Sequence, residues 1–268
     1  MRVKLIPVAS ISNPDVLIDT IAVVFDVLRA TSTIVTALAS GYQRVYPVAE
    51  ADAALALARN HGFTLAGERG GETIAGFPYG NSPLEFINGP ETDSRLTENG
   101  ERSKSSNNTL NISDVLVLTT SNGTGAIRWA ASANKVITGS LLNARAAART
   151  VLREKRDISL VCAGTAGCFS LEDTLGAGFV LMEVIKQLNQ ATGRQPAASV
   201  DMDDLAAAAY GLARYYHNDP LSGLRAGQHG QKLLRLSHEE DLRWCAQLNR
   251  FDIAPVFTGK YIAINNAT

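Results

Sequence analysis

The sequence predicts an α/β fold, a three-layer α/β/α arrangement with a mixed or mostly parallel sheet and a helix-rich C-terminal half. Three observations predict it. Short apolar runs alternate with helix-like stretches as far as Val161. Several runs, such as Ile21-Ala22-Val23-Val24-Phe25, are apolar at every position, which suits strands covered on both faces. From Leu171 onward the pattern changes to long helical periods.

Taken in order, the runs Val3–Val8, Thr20–Phe25, Arg44–Val48, Phe63–Ala66, Val115–Thr119, Lys135–Ile137 and Ile158–Val161 read as strands. Intervening helical stretches, Ala51–His61 and Leu142–Leu152 among them, supply the cover that such strands need. After Val161 come helices at Leu171–Asn189, Met202–His217 and Glu239–Leu248, then an apolar ending at Ile253–Ile264. One segment breaks the pattern: in Gly89–Ser113, 12 of 25 residues are Ser, Thr or Asn. Such a composition cannot bury a face, so a flexible insertion is expected there. The chain reads as one compact unit over 1–268, with a division into subdomains at about 1–138 and 139–268 as the alternative.

Composition narrows the function classes. Of the 268 residues 46% are hydrophobic and 19% charged, enough for a real core. The 25 basic residues against 26 acidic ones leave a net charge of −1, without the basic field that gathers nucleic acid or anionic lipid. No apolar run reaches the roughly 20 residues of a membrane helix, and no secretory leader is expected. The three cysteines, Cys162, Cys168 and Cys245, form no C-x2-C pair and suggest neither a disulfide framework nor a zinc site. The expected setting is cytoplasmic, with neither nucleic acid nor membrane as a partner and a homodimer allowed.

The polar residues of interest follow predicted strands, where the carboxyl ends of an α/β sheet open into a ligand crevice. The first turn, Asp26-Val27-Leu28-Arg29-Ala30-Thr31-Ser32-Thr33, delivers an acid, an arginine and hydroxyls to a helix start, a combination suited to phosphate. Its bland alternative is an ordinary cap by Thr31 or Ser32, with Asp26 paired to Arg29. The second is Gly67-Glu68-Arg69-Gly70-Gly71, followed by Gly80-Asn81-Ser82-Pro83, where the glycines specify backbone shape and Ser82-Pro83 opens a helix. The third, Thr119-Thr120-Ser121-Asn122-Gly123-Thr124-Gly125, offers a neutral anion cradle or a plain strand–turn–helix. The fourth runs from Cys162 to Cys168 and on to Glu172-Asp173 at a helix start. Cysteine phosphatases use C-x5-R; Cys168 stands where the arginine is needed, so Cys162 reads as a buried structural cysteine.

Together the turns bring Asp26, Glu68, Glu172 and Asp173 to one rim beside Arg29 and Arg69, and hard acids beside phosphate donors point to Mg²⁺. Glu172 and Asp173 could equally serve the dipole of their helix. His229 is the histidine flanked by glycines, in Gly227-Gln228-His229-Gly230, and is either structural or a ligand of the substrate.

Read in order, these blocks, with Cys162-Ala163-Gly164 and the stretch from His229-Gly230 to Asp241-Leu242, resemble the 2-phosphosulfolactate phosphatase family. Members of that family hydrolyse (2R)-2-phospho-3-sulfolactate to 3-sulfolactate with Mg²⁺ on the route to coenzyme M. The resemblance spans nearly the whole chain, the long Gly89–Ser113 segment being the main departure. It implies a small anionic phosphorylated substrate and a Mg²⁺ held by Asp26 and Glu68, with Glu172 or Asp173 completing the set. Asp26, Arg29 and Arg69 would then be catalytic, and Thr31, Ser32, Asn81, Ser82, Ser121, Asn122, Gly123, Thr124 and His229 would bind substrate. Asp26-Val27-Leu28 lacks the second acid of the D-x-D signature, which argues against a phosphoaspartate formed by that route. Two alternatives share these features: a Mg²⁺-dependent phosphatase of another small phospho-acid, and a non-catalytic anion-binding regulatory protein. The acids at strand ends favour catalysis.

Overall fold

Runs that are apolar at every position become the middle of a sheet. In the computed structural model, residues 1–11, 13–90, 113–192 and 200–264 are described; the expected insertion therefore falls, over 91–112, outside the described residues. Eleven strands are found among the described residues: β1 (Arg2–Ile6), β2 (Ile21–Phe25), β3 (Arg44–Pro47), β4 (Thr64–Arg69), β5 (Glu72–Thr73), β6 (Val115–Thr119), β7 (Lys135–Gly139), β8 (Ile158–Cys162), β9 (Asp201–Met202), β10 (Pro255–Phe257) and β11 (Ile262–Ile264). The α-helices among them are α1 (Ala30–Ala39), α2 (Ala51–His61), α3 (Gly123–Trp129), α4 (Ala144–Glu154), α5 (Leu171–Thr192), α6 (Asp204–Tyr215), α7 (Pro220–Ala226), α8 (Gln228–Arg235) and α9 (Glu239–Cys245).

All the strands join in one mixed, mostly parallel sheet, in the order β5-β4-β6-β3-β11-β10-β7-β2-β8-β1-β9. One parallel block is β4-β6-β3, the other β7-β2-β8-β1-β9. The hairpin β10–β11 links them by antiparallel pairing on either side. The apolar ending of the chain thus lies mid-sheet, a long-range placement that no local pattern could specify.

β2 is buried at all five positions, and its pleat splits them between two cores. Ile21, Val23 and Phe25 join residues of α4 through α9, while Ala22 and Val24 meet Ile34, Ala37 and Leu38 of α1 and Ile127 of α3. Further along the sheet, Ala54 and Ala58 of α2 cover Leu65 and Val117. The register then sets the ends of the strands. Phe25 pairs with Gly139 and Cys162, and Gly67 pairs with Thr119, so Asp26 emerges beside Ala163 and Glu68 beside Thr120.

The helix expected from Met202 starts later, because Asp201–Met202 adds an edge strand to β1 and Asp203 caps α6 by accepting from the Ala206 N–H at 2.7 Å. Helices α7 and α8 were not legible in the sequence, each being too short to show a period.

The contact of α5 with α6 turns on Gly178: a Cβ there would stand 2.1 Å from the carbonyl oxygen of Ala209. Gly178→Ala is expected to cost about 1–3 kcal/mol, since backbone rather than a flexible side chain must move. Gly211, in α6, has nothing within 4 Å, and Gly211→Ala should be neutral or stabilise by up to about 1 kcal/mol. Urea midpoints of the two variants check this contrast.

Candidate active site

A cavity of about 260 Å³ opens at these strand ends, lined by Asp26 and Arg29 after β2, Glu68 and Gly70–Gly71 around the end of β4, Asn81, Ser121–Asn122 after β6, Thr165–Ala166 after β8, and His229 and Lys232 of α8. The loop after β2 is kept short by its own side chains. Thr31 Oγ1 accepts from the Asp26 N–H at 3.2 Å, and Ser32 Oγ donates to the Val27 carbonyl at 2.8 Å. α1 therefore begins at Ala30, and Thr31 and Ser32 are spent on the turn, not on the cavity.

Both cavity carboxylates are buried, Asp26 at 7% exposure and Glu68 at 6%. Glu68 is held by backbone: its Oε1 accepts from the Ser121 N–H at 2.7 Å and its Oε2 from the Gly71 N–H at 2.7 Å. Asp26 accepts from the N–H groups of Ala30 and Gly123. Burial, and then the charge of Glu68, push the Asp26 carboxyl up to about 7, against the pull of those N–H groups and of Arg29. Gly123 must be glycine, because a Cβ there would stand 2.5 Å from Asp26 Oδ2.

Arg29, 3% exposed, is the buried cation. It pairs not with Asp26 but with Asp241 of α9, at 2.6 Å, and donates to the Gly71 carbonyl at 2.7 Å. The same Asp241 accepts from Ser82, which also caps the short 3-10 turn Pro83–Phe86 together with Glu85. Two polar atoms in the cavity wall, Asn81 Oδ1 and His229 Nδ1, are buried without a hydrogen-bond partner. Burial lowers the affinity of His229 for a proton, outweighing the opposing charge of Glu172.

Other expected site residues stand elsewhere. Arg69 does not line the cavity: its guanidinium turns outward to the carbonyls of Glu68 and Ala49 and to Thr119 Oγ1, at 2.7–2.9 Å. Glu172 accepts from the Gly230 N–H at 2.7 Å and from Ser170 Oγ, capping α8 from the first turn of α5. Asp173 accepts from the Val27 N–H at 2.9 Å and the Gly164 N–H at 3.0 Å, which stitches the loops after β2 and β8 together. Burial and the charges of Asp26 and Glu172 raise its carboxyl well above the usual range. Thr124 exchanges hydrogen bonds with Thr120 inside the third turn, while Asn122 stays at the cavity and accepts from Ala166 N–H. Cys162 is fully buried, and burial pushes its thiol well up, away from the thiolate a nucleophile requires.

Sequence reasoning gave no role to Asp241 or Lys232. Lys232 had a signal: it follows His229 by three residues, the spacing that shares one helix face. Asp241 had none, since its partner Arg29 is 212 positions away.

The fold is that of an α/β protein with a charged cavity at the ends of its strands. The chain belongs to the 2-phosphosulpholactate phosphatase family, whose model matches residues 9–260. It is similar to proteins named "Probable 2-phosphosulfolactate phosphatase" from three organisms. That of Caldanaerobacter subterraneus subsp. tengcongensis is 38% identical over 236 residues, covering 87% of this chain and 86% of that one. That of Symbiobacterium thermophilum is 39% identical over 241 residues, covering 89% and 91%. That of Parasynechococcus marenigrum is 35% identical over 239 residues, covering 87% of each.

Removing one member of the Arg29–Asp241 pair leaves the other charge buried and alone. Asp241→Ala should therefore cost about 3–5 kcal/mol, whereas replacing both, Arg29→Met with Asp241→Leu, should recover much of the loss. Equilibrium urea unfolding of both single variants and the double variant measures the coupling; additive losses would contradict it.

Proposed function

We propose that the protein hydrolyses 2-phospho-3-sulfolactate to 3-sulfolactate and inorganic phosphate, with Mg²⁺ as its cofactor. The observation that carries this reading is the meeting of two buried carboxylates, Asp26 and Glu68, in a cavity that also holds Arg29. Two such acids side by side call for a cation. The donor set fits Mg²⁺: it comprises the hard oxygens of Asp26 and Glu68 and the unpartnered amide oxygen of Asn81, and Mg²⁺ takes one or two carboxylates together with water and phosphate oxygens. Among the described residues no three His, Cys, Asp or Glu side chains form a closed cage, as this open mode of binding does not need one. Glu172 and Asp173 are left out of this donor set, because neither lines the cavity and both carboxylates face the N–H and hydroxyl donors of the loops behind it.

When bound, Mg²⁺ would polarise the phosphoryl group and offset its charge. The chain does the rest. Arg29 is fixed in place by Asp241 and the Gly71 carbonyl, which leaves its other N–H groups for the phosphoryl oxygens. The side-chain amide of Asn122, whose Oδ1 accepts from the Ala166 N–H, offers its NH2 group to orient the anion. Water bonds to phosphorus while the ester P–O bond breaks, and the proton lost by water ends on the leaving oxygen. A phosphoaspartate on Asp26 is disfavoured because Leu28, two residues on, lines the cavity where that route needs a second acid. A cytoplasmic setting agrees with the three free cysteines.

Asp26→Asn should lower kcat by about 10³-fold or more, while circular dichroism and thermal unfolding stay near wild type. Wild-type activity should vanish in EDTA and return with Mg²⁺. Phosphate release from phosphosulfolactate and a panel of other small phospho-acids checks both points. A fully active Asp26→Asn, or indifference to EDTA, contradicts the metal assignment; preference for another phospho-acid contradicts the substrate.

A further inference from the structure

The catalytic acids come from strand ends, but another group in the cavity comes from a helix that the proposed chemistry leaves unused. α8 brings His229 and Lys232 to the wall, three residues apart and hence on one helical face. Its amino end is fixed by the Glu172 carboxylate, which presses so closely that a Cβ at Gly227 would stand 2.2 Å from it. Lys232 is half-buried, and its ammonium has no ion-pair partner among the described residues. It lies across the Gly70–Gly71 turn: a Cβ at Gly71 would be 3.8 Å from Lys232 Cε, and one at Gly70 would be 3.9 Å from Nζ. Both glycines have left-handed φ, 68° and 95°, so the turn itself requires residues that leave this space open.

The charges in the cavity are unequally satisfied. Arg29 is already neutralised by Asp241, so among the described residues Lys232 is the lysine or arginine of the cavity wall that forms no ion pair. Beside it, His229 Nδ1 is buried with no partner, a costly state unless a ligand meets it. The inference rests on the reading given above, in which the substrate carries a carboxylate and a sulfonate besides the phosphoryl group. With the phosphoryl group assigned to Asp26, Glu68 and Arg29, the remaining acids need positive charge elsewhere. We propose that Lys232, with His229 beside it, forms the subsite that takes the sulfonate and so sets the specificity of the enzyme. A compact ammonium suits a tetrahedral anion that needs no planar fork.

The test is calorimetric titration of the Mg²⁺-loaded protein with 3-sulfolactate and with lactate, which differs in lacking the sulfonate. Wild type should bind 3-sulfolactate at least about tenfold more tightly than lactate. Lys232→Met should erase that discrimination, and Lys232→Arg should keep it to within about threefold. Lys232→Gln, a polar replacement on the same half-exposed helix face, gives a second variant with the same expectation as Lys232→Met. Unchanged discrimination in a folded Lys232→Met or Lys232→Gln overturns the proposal, as does failure of the wild type to prefer 3-sulfolactate. Phosphate release by the wild type is scored separately: binding of 3-sulfolactate without hydrolysis of phosphosulfolactate would leave the subsite standing and remove the proposed reaction.

Discussion

The rest of the site depends on holding Asp26 and Glu68 together in a buried cavity. Like charges repel there more strongly than in water, and backbone N–H groups point at both side chains and oppose that repulsion. Ser121 and Gly71 hold Glu68, and Ala30 and Gly123 hold Asp26. Those donors belong to the loops after β2, β4 and β6, so the acid pair and the strand-end loops fix one another. This explains the demand for glycine at 123, where any side chain would occupy the place of the Asp26 carboxylate.

A second layer of buried acids steadies the first. Asp241 reaches from α9 to Arg29 and Ser82, joining the C-terminal helices to the loops of the N-terminal half. Asp173 ties the turn after β2 to that after β8, and Glu172 sets the start of α8 and thereby the position of His229 and Lys232. In each case the carboxylate meets N–H or hydroxyl donors that burial would otherwise leave unpaired. The helix-rich half is thus the frame of the site as well as one side of the core.

Much of this could be read from the sequence, for reasons that differ by residue. The strands were legible because burial on both faces leaves continuous apolar runs, as in Ile21–Phe25 and Val115–Thr119. Asp26 and Glu68 were legible because a charge directly after such a run must lie at a sheet end. Glu172 and Asp173 carried the same signal, yet an acid that ligates a metal and one that caps a helix or stitches two loops use the same residue types at the same kind of position. Only partners settle the difference, and those partners, Gly230, Val27 and Gly164, are dispersed along the chain. Arg69 carried the same signal as its neighbour Glu68, yet it leaves the strand on the opposite face and finds Ala49 and Thr119. The central hairpin β10–β11 depends on pairing with β7 and β3, which no window of sequence contains.

Whether Asp26 and Glu68 act as one cation site, as proposed, is tested by direct binding without reference to any substrate. Titrating the protein with Mn²⁺ as a paramagnetic stand-in for Mg²⁺, and following free Mn²⁺ by electron paramagnetic resonance, should reveal one site that Mg²⁺ displaces. Glu68→Gln should weaken it by at least about tenfold, as expected when one of two carboxylates is removed from a hard cation. Binding of Mn²⁺ to Glu68→Gln with wild-type affinity would contradict the claim.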